Sequence, residues 1–417
     1  MPEPAAATAA VPSRAPIAAD YLADETSLVR ALLPAARLEP EMRPQVDADA
    51  RRLVAAARAG RRKYGGVDAM MSEYGLSTEE GVVLMCLAEA LLRVPDPDTA
   101  DKLIADKIGG RAWETHLGHS DSLFVNASTW GLMLTGRVVD LGEGGGMDVA
   151  SLLKRLVAKS GEPIIRQAMR HALRIVGGQF VLGRTIEEAL RLAEPQEKQG
   201  YRFSFDMLGE TAMTARDAAR YFDRYTHAID VIAEHAGAGE GESIFARPGI
   251  SVKLSALHPR FEPSKRARIF AELVPRLSCL VAASRARGLA LTIDAEEMNQ
   301  LDLTLEVFAA LLRYRAAAGW DGLGIAVQAY GRRAMPVLTW LEALAEQSGH
   351  RIPVRLVKGA YWDTEIKRAQ EAGLESYPVF TRKASTDVSF LACAHFLLAH
   401  RDRFYGQFAT HNAHTIA

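Results

Sequence analysis

The sequence predicts an α/β protein: a (β/α)8-type (TIM-like) barrel, incomplete at its C-terminus and preceded by an all-helical arm region. Three observations carry this reading. From Tyr201 onward seven short apolar runs (203–208, 250–257, 289–295, 323–330, 352–359, 377–383 and 406–411) alternate with amphipathic segments at helical spacing. Such alternation builds a parallel sheet, because every helical crossover returns the chain to the same end of the next strand. No run opens into the Gly-rich first turn of a dinucleotide fold, which favours a closed barrel over a doubly wound sheet. From about residue 20 to 198 the sequence reads as helix after helix. The expected organisation is a disordered Ala/Pro-rich lead at 1–19, a helical arm at 20–198 and the barrel at 199–417, with seven of eight strands present.

Taken in order, the lead carries Glu3 and lacks a basic start followed by a Leu-rich core, so it does not read as a signal peptide. In the helical region Ser77-Thr78-Glu79-Glu80 forms a capping box before the apolar run 81–92, and Pro95 and Pro97 end that helix. The run from Val82 to Leu92 is interrupted by Glu89 and is too short to cross a bilayer. Gly142–Gly146 lacks both the dinucleotide spacing and a following Gly-Lys-Ser/Thr, so it reads as a linker. Glu194 to Gly200 reads as the boundary before the barrel. Within the barrel, Gly249, Gly288, Gly319, Gly349 and Gly373 fall at helix-to-strand joints. Pro336 falls in the first turn of the helix after the fourth run.

Composition narrows the function classes. Hydrophobic residues at 48% and charged residues at 24% describe a chain able to bury a sizeable core. A formal charge of −1 supplies no basic field for a nucleic-acid backbone, so no nucleic-acid partner is expected. Arg51-Arg52 and Arg61-Arg62-Lys63 read as solvated helix faces. Cys86, Cys279 and Cys393 lie far apart, which argues against a disulfide framework or a zinc site and fits a reducing, cytoplasmic compartment.

The pattern that points to chemistry is where the polar residues fall. Lys253, Asp294, Gln328 and Arg355 each interrupt an apolar run toward its carboxyl end. Thr381, Arg382 and Lys383 end the sixth run, and Thr410, His411 and Asn412 end the seventh. A charge inside an apolar strand is costly unless paired or liganded, and in a barrel these ends share the face that holds the site. Arg355 opens the stretch RLVKGAYWDTEIKRAQ, whose join Gly359-Ala360-Tyr361-Trp362 offers a close backbone approach and two flat aromatic faces. Together these groups suit a large, planar, phosphate-bearing cofactor. Asp294, Glu296, Glu297, His411 and His414 could offer metal ligands, but no strand shows H-x-H spacing, and no metal is expected. A Schiff-base role for Lys358 is disfavoured, because strand alternation turns it away from Arg355, Val357 and Gly359.

The segments FDMLGE, SVKLSALHPRFE, DAEE, QAY, RLVKGAYWDTEIKRAQ, YPVFTRK and QFATHNAHT, in this order, resemble the proline dehydrogenase domain of bacterial proline utilization A over roughly residues 20–417. The resemblance implies a barrel that holds non-covalent FAD and oxidises L-proline to 1-pyrroline-5-carboxylate by hydride transfer. It further implies a quinone acceptor at the membrane, hence peripheral association with the inner membrane, and an aldehyde dehydrogenase domain downstream in the full-length protein. Carried over by position, Gln328, Arg355, Val357, Gly359, Trp362, Thr381, Lys383, Thr410, His411 and Asn412 hold the cofactor. Lys253, Asp294, Ala360 and Tyr361 surround the substrate, with Lys253 and Asp294 on adjacent strands and able to pair. The family continues into an eighth strand and a paired-arginine motif that clamps the substrate carboxylate. Nothing here matches that motif, and Arg332-Arg333 has the wrong neighbours. A barrel truncated before its eighth strand is therefore expected, with open edges that invite pairing with another copy of the chain. The competing readings are a non-catalytic FAD-binding or interaction remnant and a metal-dependent barrel hydrolase.

Overall fold

Six parallel strands, each followed by helical structure, form one sheet in strict chain order in the computed structural model. The structure describes residues 11–60, 181–237, 241, 243–314 and 317–417. The capping box at Ser77, the prolines at 95 and 97, the glycine run at 142–146 and Cys86 lie outside them.

The chain divides into two compact units, one comprising residues through Asp49 and from Ala193 onward, the other Ala50–Leu192. In the first unit the described chain begins with α1 (Ala15–Ala19) and α2 (Glu25–Ala36); α3 (Arg43–Gly60) and α4 (Ile186–Glu197) cross the unit boundaries. One organisational expectation changes here. Residues 15–19, expected to be disordered, form α1, and Ile17 is fully buried. The stretch 194–200, expected as the boundary before the barrel, begins with the last turn of α4, which carries Pro195 inside it.

The sheet follows as β1 (Ser204–Asp206), α5 (Ala215–Ala236), β2 (Gly249–Val252), α6 (Arg266–Ala286), β3 (Ala290–Ile293), α7 (Leu301–Leu312), β4 (Leu323–Gln328), α8 (Ala334–Ser348), β5 (Ile352–Val357), α9 (Trp362–Glu371), α10 (Lys383–Ala399) and β6 (Phe404–Phe408). Local chemistry explains the ends of these elements. Thr214 and Asp217 form a reciprocal capping box at the start of α5, each side chain accepting from the other's backbone N–H. Gly349 stops α8 in the left-handed conformation, φ 70°. Gly288, Gly319 and Gly373 also have positive φ, but Gly249 does not and is the first residue of β2.

The expected strand at 377–383 is absent. Val379 makes a single antiparallel bridge to Gly331, and Lys383 already opens α10. Two causes act together. Pro378 cannot donate to a ladder, and β6 pairs directly with β5 from Ile352↔Phe404 to Leu356↔Phe408, which leaves no slot between them. The segment is instead held by Tyr330 and Arg332 just past β4: Phe380 N donates to Tyr330 O at 2.8 Å and Arg332 N to Pro378 O at 3.1 Å.

Side chains on β5 reach β1 and β2 directly, so the sheet must curl. The Arg355 guanidinium donates to Ser204 Oγ and Ser251 Oγ, both at 2.7 Å. At the opposite ends of the strands, Phe245 before β2 stacks on Tyr405 of β6 with ring centres 4.1 Å apart. The concave side is therefore an interior. Parity assigns Ser204, Asp206, Ser251, Lys253, Thr292, Asp294, Arg355 and Gln407 to it. The convex side is covered by helices whose Tyr225, Ile229, Leu273, Leu277, Phe308, Leu341 and Phe390 are almost wholly buried.

Candidate active site

Lys253 and Asp294 follow immediately on β2 and β3, so the two parallel strands deliver them side by side: Lys253 Nζ lies 3.0 Å from Asp294 Oδ2. The ammonium has two further partners, Asp206 Oδ1 at 2.6 Å from the end of β1 and Glu210 Oε1 at 3.1 Å from the loop after it. Arg355 closes the network from across the interior, its Nη1 3.4 Å from Asp294 Oδ1 and its Nε donating to Gln407 Oε1 at 3.3 Å. Three carboxylates thus meet two cations in a mouth where each side chain is at most 36% exposed.

That arrangement sets the charge states. Burial by itself would lower the Lys253 ammonium, but the charges of Asp294, Asp206 and Glu210 outweigh it and hold it protonated well above the ordinary lysine range. Burial pushes the Asp206 carboxyl up, helped by the charge of Asp294 and opposed by Lys253. Glu210 is also raised, first by burial; its Oε2 is buried with no hydrogen-bond partner. Tyr225 stands behind this pair, accepting from Lys253 N at 3.2 Å.

The second wall is the turn after β5. Gly359 has φ +132°, and a Cβ placed there would meet the Tyr330 ring at 2.5 Å, so both conformation and space require glycine. Val357 sits opposite Gln328 in the β4–β5 register, and its carbonyl accepts from Ala329 N at 2.8 Å. Gln328 is nearly buried and donates through Nε2 to Glu296 O at 2.8 Å. Ala360 is exposed, and the half-buried Tyr361 hydroxyl is raised by burial and then by the charge of Glu296. Trp362 exposes 41% of its surface, with its indole N–H fixed on Phe380 O at 2.8 Å. Lys358 turns outward to Asp387 on α10, as alternation requires.

The remaining expected residues are less concentrated. Thr381 and the backbone at Arg382 are held by Glu25 of α2, and Lys383 is an exposed side chain paired with Asp387 at 2.9 Å. Thr410 Oγ1 accepts from Asn412 N at 3.0 Å, and Asn412 Oδ1 from Thr415 N at 3.0 Å, which shapes a turn beyond β6 with His411 exposed on it. The structure therefore brings together Lys253, Asp294 and Arg355, and separately Trp362 with the 380–381 loop. Sequence reasoning did not assign Asp206, Glu210, Ser204, Ser251, Gln407 or Glu25. Asp206 and Glu210 both lie within the FDMLGE segment, where a carboxylate at a strand end was the available signal. Among the described residues no group of three or more His, Cys, Asp or Glu side chains is placed to hold a metal ion.

Residues 189–417, more than half of the chain, match the family model described as proline dehydrogenase. The chain belongs to the proline dehydrogenase family. Residues 12–58 of this proline dehydrogenase-family chain match the proline utilization A proline dehydrogenase N-terminal domain, and residues 66–180 match a model described as the DNA-binding domain of proline dehydrogenase. That last description stands against the expectation that there is no nucleic-acid partner. The bifunctional protein PutA of Salmonella typhimurium is 48% identical over 97% of the chain, which spans 30% of that relative's length. Proline dehydrogenase 1 of Bacillus subtilis is 24% identical over 63% of the chain and 74% of its own. A crystal structure of Bradyrhizobium japonicum proline utilization A superposes with a TM-score of 0.68 at 46% identity, covering 100% of this chain and 40% of that one.

Proposed function

We propose that this chain is the part of a bifunctional proline-catabolic enzyme that oxidises L-proline to 1-pyrroline-5-carboxylate, using FAD and passing electrons to a membrane quinone. The observation that carries the reading is the Lys253–Asp294–Arg355 network at the carboxyl ends of a curled parallel sheet, in a chain whose barrel residues match the proline dehydrogenase model. We place the protein in the cytoplasm, visiting the inner membrane surface to deliver electrons.

The residues present fit FAD. Gly359 turns the chain tightly against the Tyr330 ring at the end of β5, Trp362 offers an exposed ring face, and Arg355 points a guanidinium into the interior. In this reading Gln328, Arg355, Val357, Gly359, Trp362, Thr381, Lys383, Thr410, His411 and Asn412 hold the cofactor, which when bound supplies the acceptor for a hydride. Arg355 stabilises negative charge that arrives beside it. Lys253, its ammonium held by three carboxylates, orients the substrate. The carboxylate excess of Asp206, Glu210 and Asp294 favours a cationic amine, and Tyr361 and Ala360 border the space it would occupy.

The test is the visible spectrum of the purified chain loaded with FAD, before and after anaerobic L-proline. Bound flavin whose bands bleach is the expected result. A chain that takes up no flavin overturns the reading. Flavin that binds and stays oxidised favours the second one, an FAD-binding barrel without turnover.

A further inference from the structure

We infer that Glu25 of α2 is a positioning residue for the cofactor: it holds the 380–383 loop in its binding form, which makes the N-terminal segment part of the site. The inference rests on the FAD reading above.

α10 begins without a cap of its own. Its N-cap residue is Arg382, extended at φ −111° and ψ 133°, with no side-chain cap hydrogen bond. Helices leave their first N–H groups unpaired, and arginine has no acceptor to offer them. The two residues that lead into the helix find their acceptor at the other end of the sequence. Glu25 Oε2 accepts from Thr381 N at 2.9 Å and from Thr381 Oγ1 at 2.8 Å, and Oε1 from Arg382 N at 3.4 Å. A carboxylate at a helix N-terminus is also favoured by the helix dipole.

Glu25 cannot swing away freely. The guanidinium of Arg332, 2% exposed, lies 3.6 Å from its carboxylate and donates to Ala23 O at 2.6 Å and Ser376 Oγ at 2.8 Å. Further along, α2 runs against α10, with His395 hydrogen-bonded to Ala35 O at 2.6 Å. On its other side the loop is tied through Phe380 to Tyr330 and to the indole of Trp362. Thr381 lies in this loop and Trp362, at the start of α9, is hydrogen-bonded to it through Phe380 O, so two residues assigned to the cofactor depend on a loop whose backbone N–H groups at 381 and 382 are held by Glu25. Lys383, another residue assigned to the cofactor, is exposed and paired with Asp387 rather than with Glu25, so the Glu25 carboxylate braces the loop without tying up that cation.

The experiment titrates FAD, followed by flavin fluorescence, into the purified chain and its Glu25→Ala, Glu25→Gln and His395→Ala variants. Amide hydrogen exchange across 380–385 is measured without cofactor. The expected result is FAD affinity weakened about tenfold by Glu25→Ala, less by Glu25→Gln, and unchanged by His395→Ala, with faster exchange at Thr381 and Arg382 in Glu25→Ala. Unchanged affinity overturns the inference, and so does tighter binding, which would make Glu25 an occupant of the cofactor's anion position. An equal loss in His395→Ala overturns it too, because docking of α2 as a whole would then be responsible. If Glu25→Ala fails to fold, Glu25→Gln decides by the same criteria. A wild-type chain that binds no FAD fails at the earlier step and removes the FAD reading together with this one.

Discussion

At the scale of single residues, the mouth of the sheet is organised by one ammonium. Lys253 is the common partner of Asp206, Glu210 and Asp294, and its removal leaves three carboxylates facing one another. Lys253→Met is expected to cost about 3 kcal/mol of stability, the scale of an uncompensated buried charge, somewhat offset because Asp206 is partly solvated. The pH dependence has a definite sign. Asp206 and Glu210 have carboxyls raised by burial, so their contribution is fully present below their ordinary values of 3.8 and 4.5 and is lost as pH rises through the raised ones. Without the ammonium that loss deepens. The Lys253→Met penalty in denaturant unfolding should therefore be larger at about pH 7 than at about pH 5, and equal penalties would mean the ion network does not couple to folding. The Lys253–Asp294 pair was legible because parity and strand adjacency are readable from an apolar run. Glu210 was not, since it lies four residues past β1 and is placed by a loop.

At the scale of elements, the sequence shows where apolar runs lie but not whether a slot awaits them. Four of the seven runs became strands with only trimmed ends, the run at 250–257 became β2 one residue early with Leu254–Leu257 turning helical, and the run at 406–411 became a strand that starts two residues toward the N-terminus. The run at 377–383 failed because strand formation depends on a partner edge, and β6 had already taken the edge of β5. The N-terminal segment was misread for a related reason. Its Ala/Pro composition resembles a disordered lead, yet Trp340 donates to Pro12 O at 3.0 Å, Arg14 reaches Asp302 O and Glu306, and Arg333 lies over the Tyr21 ring. Long-range anchors of this kind leave no periodic signal. The same strap carries a pH expectation. Burial would raise the Glu25 carboxyl, but hydrogen bonds from Thr381, Ser385 and Arg382 outweigh it and hold it below its ordinary value. Its stabilising contribution is thus present above 4.5 and lost as pH falls through the lower folded value. Pepsin cleavage within residues 25–36 should rise on acidification in that window before the barrel itself opens. Cleavage that tracks global unfolding would show that Glu25 does not hold α2.

At the scale of the whole compact unit, the sheet has two edges, β1 and β6, and its interior is bridged by polar side chains instead of being filled by an apolar core. Arg355 reaches Ser204 and Ser251 from β5, and Lys253 ties the ends of β1, β2 and β3 together. Such bridges set geometry more than they stabilise, because each polar group gives up water to make them. The barrel residues assigned to FAD come from β4, β5, the loop before α10 and the turn after β6, so a bound cofactor would join elements that the sheet alone connects only in series. Binding to the folded state alone stabilises it by mass action, by about 2.7 kcal/mol at a ligand concentration a hundred times the dissociation constant. For a unit of this size that is a rise in unfolding midpoint of roughly 5 °C. Thermal unfolding of the chain should therefore shift upward with FAD concentration and continue to rise logarithmically past saturation, while L-proline alone shifts it little. A midpoint indifferent to FAD would mean that these residues, however well they match the family, do not assemble a cofactor site in this chain.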